Sequence, residues 1–201
     1  MSGDSDRRAK LADNRGRIAP IRLAHIVRRT SRFDEMLVWY GTVLGAEVVH
    51  SDGMLAFLTY DEEHHRIAIV RIPGLDDQPV LAAGTDHVAF TYADLGDLLY
   101  TYHRLKNVGM VPYWCVNHGP TTSLYYKDPD ANRIELQIDN FPTAEQANQW
   151  MRSTDFAANP IGVIFDPEQL LARYLAGEAL ERLTARPPLP EGATPLEMLR
   201  F

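Results

Sequence analysis

Three residues of this chain have the types and surroundings of metal ligands: His25, His87 and Glu135. His25 stands in Leu23-Ala24-His25-Ile26-Val27 and His87 in Thr85-Asp86-His87-Val88-Ala89-Phe90. Each is one imidazole inside a short apolar run that reads as a strand. Glu135 stands in Asn132-Arg133-Ile134-Glu135-Leu136, a carboxylate among apolar neighbours. A carboxylate so placed needs a partner, and a metal ion supplies one. Two imidazoles and one carboxylate, with positions left open, are the set that suits a non-haem Fe(II) oxygenase. A structural zinc site would instead be closed by four ligands.

The spacing adds to this. His25 and His87 are 62 residues apart. When His65-Arg66-Ile67-Ala68 is laid against Asn132-Arg133-Ile134-Glu135, Ala68 and Glu135 are 67 apart, so the second half carries a small insertion. A pseudo-symmetric site would draw one ligand from the first strand and one from the last strand of each half. The four positions are then His25, Ala68, His87 and Glu135, and one is blank. Three protein ligands leave room for solvent, a bidentate substrate and O2.

The elements that must position these residues repeat once. In the first half a strand is expected over about Ile21–Arg28, then Ser31 as N-cap and a helix over about Phe33–Leu44 ending at Gly45. Three strands follow, at about Glu47–His50, Met54–Tyr60 and Arg66–Arg71. Residues Ile72–Gly84 read as a linker. The pattern then restarts with a strand at about Asp86–Tyr92, a helix at about Leu95–Asn107, and strands at about Val111–Val116, Ser123–Asp128 and Arg133–Ile138. Both halves are therefore βαβββ, and a duplicated unit of this kind governs the rest of the reading. The fold class is α+β: two βαβββ modules, 18–72 and 85–140, in one domain over 18–140. Residues 1–17 read as a flexible arm. Residues 141–201 read as a C-terminal helical and extended tail, with helices at Thr143–Met151 and Pro167–Ala185, that covers a sheet edge or a partner subunit.

Composition sets limits. The 201 residues carry a net charge of −7 with Lys and Arg scattered, which argues against nucleic acid and anionic membranes as partners. No apolar run approaches the roughly 20 residues that span a bilayer. The first residues lack the apolar stretch of a signal peptide. The single Cys115 fits a reducing cytoplasm and a packing role. A cytoplasmic protein is expected.

A longer stretch carries a resemblance. His118, Gly119-Pro120-Thr121-Thr122-Ser123, Leu124-Tyr125, Tyr126-Lys127, Asp128-Pro129-Asp130, Ala131, Asn132-Arg133-Ile134 and Glu135 follow one another in the signature order of the type I extradiol catechol dioxygenases. These belong to the vicinal oxygen chelate superfamily, whose members pair βαβββ modules into a metal-holding half-barrel, and the chain resembles their one-domain form, which implies that architecture over 18–140. One position departs: Ala131 stands where the family has Gly or Pro, in a turn. The resemblance covers about residues 20–140. It implies Fe(II), with Mn(II) as the alternative, on His25, His87 and Glu135. It implies that His65 is the acid–base residue of the oxygen step, that Tyr125 holds the ionised catechol oxygen, and that His118 orients that contact. The partners implied are a small-molecule catechol and O2, in a homodimer or higher homo-oligomer serving aromatic ring cleavage. Phe90, Trp114 and Phe141 are candidates for lining a ring pocket. Tyr126, one step along a strand, is expected on the other face. The rival readings are a glyoxalase-like isomerase, which Ala68 argues against, a thiol transferase, or a metal-free drug-binding module.

Overall fold

The computed structural model describes residues 18–77, 79 and 83–200. The arm expected at 1–17 lies outside the described residues.

Two sheets carry the fold. The first half supplies β1 (Ile26–Thr30), α1 (Phe33–Leu44), β2 (Glu47–Ser51), β3 (Leu55–Thr59) and β4 (Ile67–Arg71). The second supplies β5 (His87–Thr91), α2 (Leu95–Asn107), β6 (Trp114–Asn117), β7 (Thr121–Lys127) and β8 (Arg133–Asp139). The strand orders are β1-β4-β3-β2 and β5-β8-β7-β6, with β9 (Val163–Ile164) of the tail added outside β6. Neither sheet closes on itself. In each module the first strand runs parallel to the last and the other pairs are antiparallel.

Register makes the duplication concrete. Val27 pairs with Ala68 across β1 and β4, and Ala89 pairs with Glu135 across β5 and β8. Val27 and Ala89 each lie two residues past a histidine, His25 and His87. Side chains two apart share a face. The ladders thus put Ala68 in the first module where Glu135 stands in the second.

The helices cover one face of each sheet. Phe33, Met36, Tyr40 and Val43 of α1 and Leu95, Leu98, Leu99, Tyr102 and Leu105 of α2 are buried in one continuous core with Leu58, Ile67, Ile69, Leu124, Tyr126, Ile134 and Leu136. Polar contacts tie the modules at the β7–β8 turn: Tyr40 donates to Asp128 Oδ2 at 3.0 Å, and Arg32 Nη1 to Asp130 Oδ1 at 2.9 Å.

Several boundaries differ from the sequence expectation. The first strand begins at Ile26, not Ile21, because Arg66 Nη1 donates to the carbonyls of Leu23 and Ala24, which holds that stretch as a loop. Arg32, not Ser31, is the N-cap of α1 and makes no side-chain capping bond; Thr30 Oγ1 accepts from its N–H at 2.8 Å. The helix expected over Pro167–Ala185 is two, α5 (Pro167–Leu175) and α6 (Leu180–Thr184), broken at Gly177, whose φ is 79°. Thr143 caps α3 (Ala144–Trp150). A short α4 (Thr154–Ala158), β9 and a 3-10 turn at Pro195–Met198 were not anticipated.

Ala131 is the one non-glycine residue among the described residues with positive φ, at 63°. An L residue there costs roughly 1–2 kcal/mol, partly recovered by its lower freedom in the unfolded chain. Ala131→Gly is therefore expected to stabilise the protein by about 0.5–1 kcal/mol, read as a raised urea midpoint at unchanged slope.

Candidate active site

Glu135 sits in the middle of β8, 4% exposed, opposite Ala89 of β5 on one side and Tyr125 of β7 on the other. His87, at the start of β5, points its Nε2 to Glu135 Oε2 at 3.0 Å. Its Nδ1 lies 2.8 Å from Asp86 Oδ2, and Arg133 Nη1 donates to the other oxygen of Asp86 at 2.7 Å. Both ring nitrogens thus face carboxylates. The Glu135 hydrogen bond, with Asp86 behind it and against the cost of burial, raises the His87 pKa to about 9. Burial pushes the Glu135 carboxyl up, but the hydrogen bonds from His87 and Ser123 outweigh it and hold the group below its ordinary value.

Beside this charged pair stands a neutral one. His118 Nε2 is 3.0 Å from the Tyr125 hydroxyl, and Trp114 stacks on the Tyr125 ring with centroids 4.5 Å apart. Burial, then the Glu135 charge, raises the Tyr125 pKa far above the usual phenol value. Burial lowers that of His118. At neutral pH the pair is a phenol and an uncharged imidazole. The His118 Nδ1 meets the backbone carbonyl of Ile161 in the tail.

The remaining two candidates stand together on the first module. The His25 and His65 rings are 4.4 Å apart, and Phe57 lies 4.6 Å from His65. Burial, then the neighbouring His25, lowers the pKa of His65. His25 is exposed. Among the described residues no three His, Cys, Asp or Glu side chains converge as a metal cage. The six residues singled out in the sequence therefore form two clusters, His25 with His65 and His87 with Glu135, Tyr125 and His118.

Two ring-pocket candidates stand elsewhere. Phe90 is one step from Ala89 and so packs against the core, edge-on to Tyr60 at 5.7 Å. Phe141 neighbours Trp150 at 6.2 Å, beneath the tail, in a cleft of about 1190 Å3 that none of the six site residues lines. Trp114 does face Tyr125, and Tyr126 is buried in the core on the opposite face, as period two requires. Asp86 and Ser123 were missed. Asp86 adjoins His87 in the sequence and was open to notice. Ile161 acts through its backbone and carried no signal.

A profile of the Glyoxalase/Bleomycin resistance protein/Dioxygenase superfamily matches residues 22–136, and the chain belongs to that superfamily. Biphenyl-2,3-diol 1,2-dioxygenase 2 of Rhodococcus globerulus is 47% identical over 164 residues, covering 81% of this chain and 86% of that one. Biphenyl-2,3-diol 1,2-dioxygenase 3 of the same organism is 45% identical over 167 residues, 82% and 88% of the two chains. With such relatives the chain is an extradiol dioxygenase, an enzyme of a kind that works with a metal cofactor. Among solved structures, the fold is shared with a glyoxylase/bleomycin resistance protein/dioxygenase domain from Frankia sp. EAN1pec (17% identity, 60% of this chain and 99% of that one, TM-score 0.51). It is shared too with the genomically encoded fosfomycin resistance protein of Listeria monocytogenes (19% identity, 64% and 99%, TM-score 0.50). No helix among the described residues is long and apolar enough to cross a membrane.

The His87–Glu135 pair sets a pH dependence. The His87 pKa is raised above its unfolded value, so the pair's stabilisation is full below about pH 6.5 and is lost as pH rises through about 9. Stability measured on metal-free protein is expected to show Glu135→Gln most destabilising near pH 6 and progressively less so towards pH 9. In the same variant the NMR-measured pKa of His87 falls.

Proposed function

We propose that the chain opens the ring of a vicinal diol of the biphenyl-2,3-diol type beside its hydroxyls, using Fe(II) held by His25, His87 and Glu135, with Mn(II) as the alternative ion. The observation that carries the reading is one ladder, β5-β8-β7, that sets His87, Glu135 and Tyr125 side by side with His118 behind. The donor set suits such an ion: a buried carboxylate and an imidazole meet at 3.0 Å, and the far imidazole nitrogen is fixed by Asp86. Bound there, the metal supplies chelation of two vicinal oxygens and a path for electrons between diol and O2.

The chain's own groups do the rest. Tyr125, kept un-ionised, holds the ionised substrate oxygen by a hydrogen bond, and His118 fixes the direction of that hydroxyl. His65, an imidazole biased towards its neutral form, takes and returns the proton of the oxygen step. Trp114 walls the site with an aromatic face. Both atoms of O2 end in a ring-opened product carrying an aldehyde or acid.

His25 and His65 stand just before β1 and β4 of the first sheet, apart from the cluster on the second. Ile21 (94%), Leu23 (71%) and Val27 (53%) beside His25 are exposed apolar side chains. The functional unit in this reading is a homodimer, in which the first module of one copy faces the second module of the other.

Reconstitution with Fe(II) without air, followed by aerated catechols including biphenyl-2,3-diol, is expected to give O2 uptake matched by a new yellow chromophore. Both fall by at least about 100-fold in His65→Ala and in Glu135→Ala. Metal binding with no O2 uptake on any diol overturns the reaction assigned. The dimer is tested separately by mixing His25→Ala with Glu135→Ala and letting subunits exchange. A shared site regains activity and metal in the mixed dimer, where one site is intact; a site within each chain regains none.

A further inference from the structure

The tail meets the backbone beside His118 at the Asn159–Gly162 turn. Asn159 is 5% exposed, yet its side chain is fully used within the turn. Its Nδ2 donates to the Gly162 carbonyl at 2.8 Å, and its Oδ1 accepts from the N–H groups of Ile161 (3.2 Å) and Gly162 (2.9 Å). Arg186 Nη1 donates to the Asn159 carbonyl at 2.6 Å, and its guanidinium lies over the Trp150 ring at 4.6 Å. Gly162 has φ 118°, and a Cβ there would stand 2.5 Å from the Asn117 carbonyl oxygen and 2.8 Å from His118 Cα. Only glycine lets the two backbones come so close. On the other side the Trp150 ring covers Gly119, where a Cβ would meet it at 1.9 Å. Strand β9 then pairs with β6, Asn117 opposite Val163. The loop bearing His118 is thus gripped from both sides by residues 150–186.

What the grip delivers is one group: the Ile161 carbonyl, set against His118 Nδ1. A carbonyl only accepts, so Nδ1 must carry the proton. In a neutral imidazole Nε2 is then bare and can only accept, and the group in front of it is the Tyr125 hydroxyl at 3.0 Å. With Nε2 able only to accept, the hydroxyl must be the donor of the pair; its one proton has two acceptors in reach, His118 Nε2 and the Glu135 carboxylate, and an ionised substrate oxygen at the site would compete for it with both. The other tautomer would put an N–H on that hydroxyl and leave a bare Nδ1 against the Ile161 carbonyl.

We propose that the C-terminal extension is a working part of the site: its Asn159–Gly162 turn fixes the tautomer of His118 through the Ile161 carbonyl, and so sets which way the Tyr125 hydroxyl bond points. Asn159 is a positioning residue acting through His118. The consequence for catalysis rests on the function proposed above; the tautomer itself does not.

The test is histidine-15N NMR on the full metal-free chain, with His118 assigned by its absence in His118→Ala, followed by steady-state kinetics of the iron-loaded enzyme. Wild type is expected to show His118 protonated at Nδ1 and bare at Nε2. In Asn159→Ala the second tautomer appears, and kcat falls about tenfold while KM stays within a factor of about two. Leu183→Ala loosens the tail from its buried packing in α6 without touching the turn; it is expected to keep both the tautomer and kcat. Wild-type His118 protonated at Nε2 overturns the proposal without any variant. So does an Asn159→Ala protein that loses kcat with its tautomer unchanged, or equal losses in both variants. A wild-type chain with the expected tautomer but no ring cleavage would remove the function proposed and leave this device standing.

Discussion

A carboxylate 4% exposed in the middle of a sheet is the constraint on which the rest of this structure turns. Left alone, Glu135 would take up a proton or unfold its surroundings, because an unpaired charge in a low-dielectric interior costs several kcal/mol. Here its neighbours come from the two strands that flank β8: His87 from β5, and Ser123 and Tyr125 from β7. The pair with His87 is in turn held by Asp86 and Arg133, so a row of alternating charges runs outward to solvent. Removing one partner leaves the next unmatched, and so Glu135 and its ring of contacts must be read as a unit.

That unit depends on register. A slip of one residue along β8 would turn Glu135 into the helix-packed core and bring Ile134 or Leu136 to the site. Register is guarded by that core, where Ile134 and Leu136 are fully buried, and by the turn before β8. There Asp128 accepts from Tyr40, from the Asn132 backbone and from the Asn132 side chain. The same turn carries polar contacts that tie the modules, from Tyr40 and Arg32, beside the shared core and the bonds of Arg104 to the Thr42 and Val43 carbonyls. Ala131 tolerates a left-handed backbone within that turn.

The duplicated βαβββ order and the pairing of Ala68 with Glu135 were legible in the sequence because they rest on period: alternation in the strands, helical spacing in the helices, and repetition of both. The close partners in the second module were legible for the same reason, since His87, Tyr125 and Glu135 occupy facing positions on neighbouring strands. Phe90 was misplaced although alternation already sent it away from His87; its aromatic type was given more weight than its position. The start of β1 was misread because Arg66 pins Leu23 and Ala24 from across the module, a contact with no local signal. Nor does alternation say whether two modules of one chain face each other. It is silent as well on the tail, whose break at Gly177 interrupts an otherwise helical pattern and whose contribution is a backbone carbonyl.

The tail also explains how two opposed electrostatic settings coexist within a few ångströms. In the metal-free chain carboxylates favour the charged form of His87 and burial favours the neutral form of His118, although both rings stand in T-shaped contact with Tyr125. Burial at His118 is not supplied by the module, because β6 would be the edge of its sheet. Strand β9, Ile161 and Leu199 pack there against Trp114, Val116 and Tyr125 and take the place of water. An edge strand with open backbone groups would hydrate its neighbours and weaken the bias towards the neutral ring. The βαβββ repeat places the charged half of the site, whereas the neutral half needs a cover from outside the repeat. A chain reduced to its two modules would keep the first and lose the second.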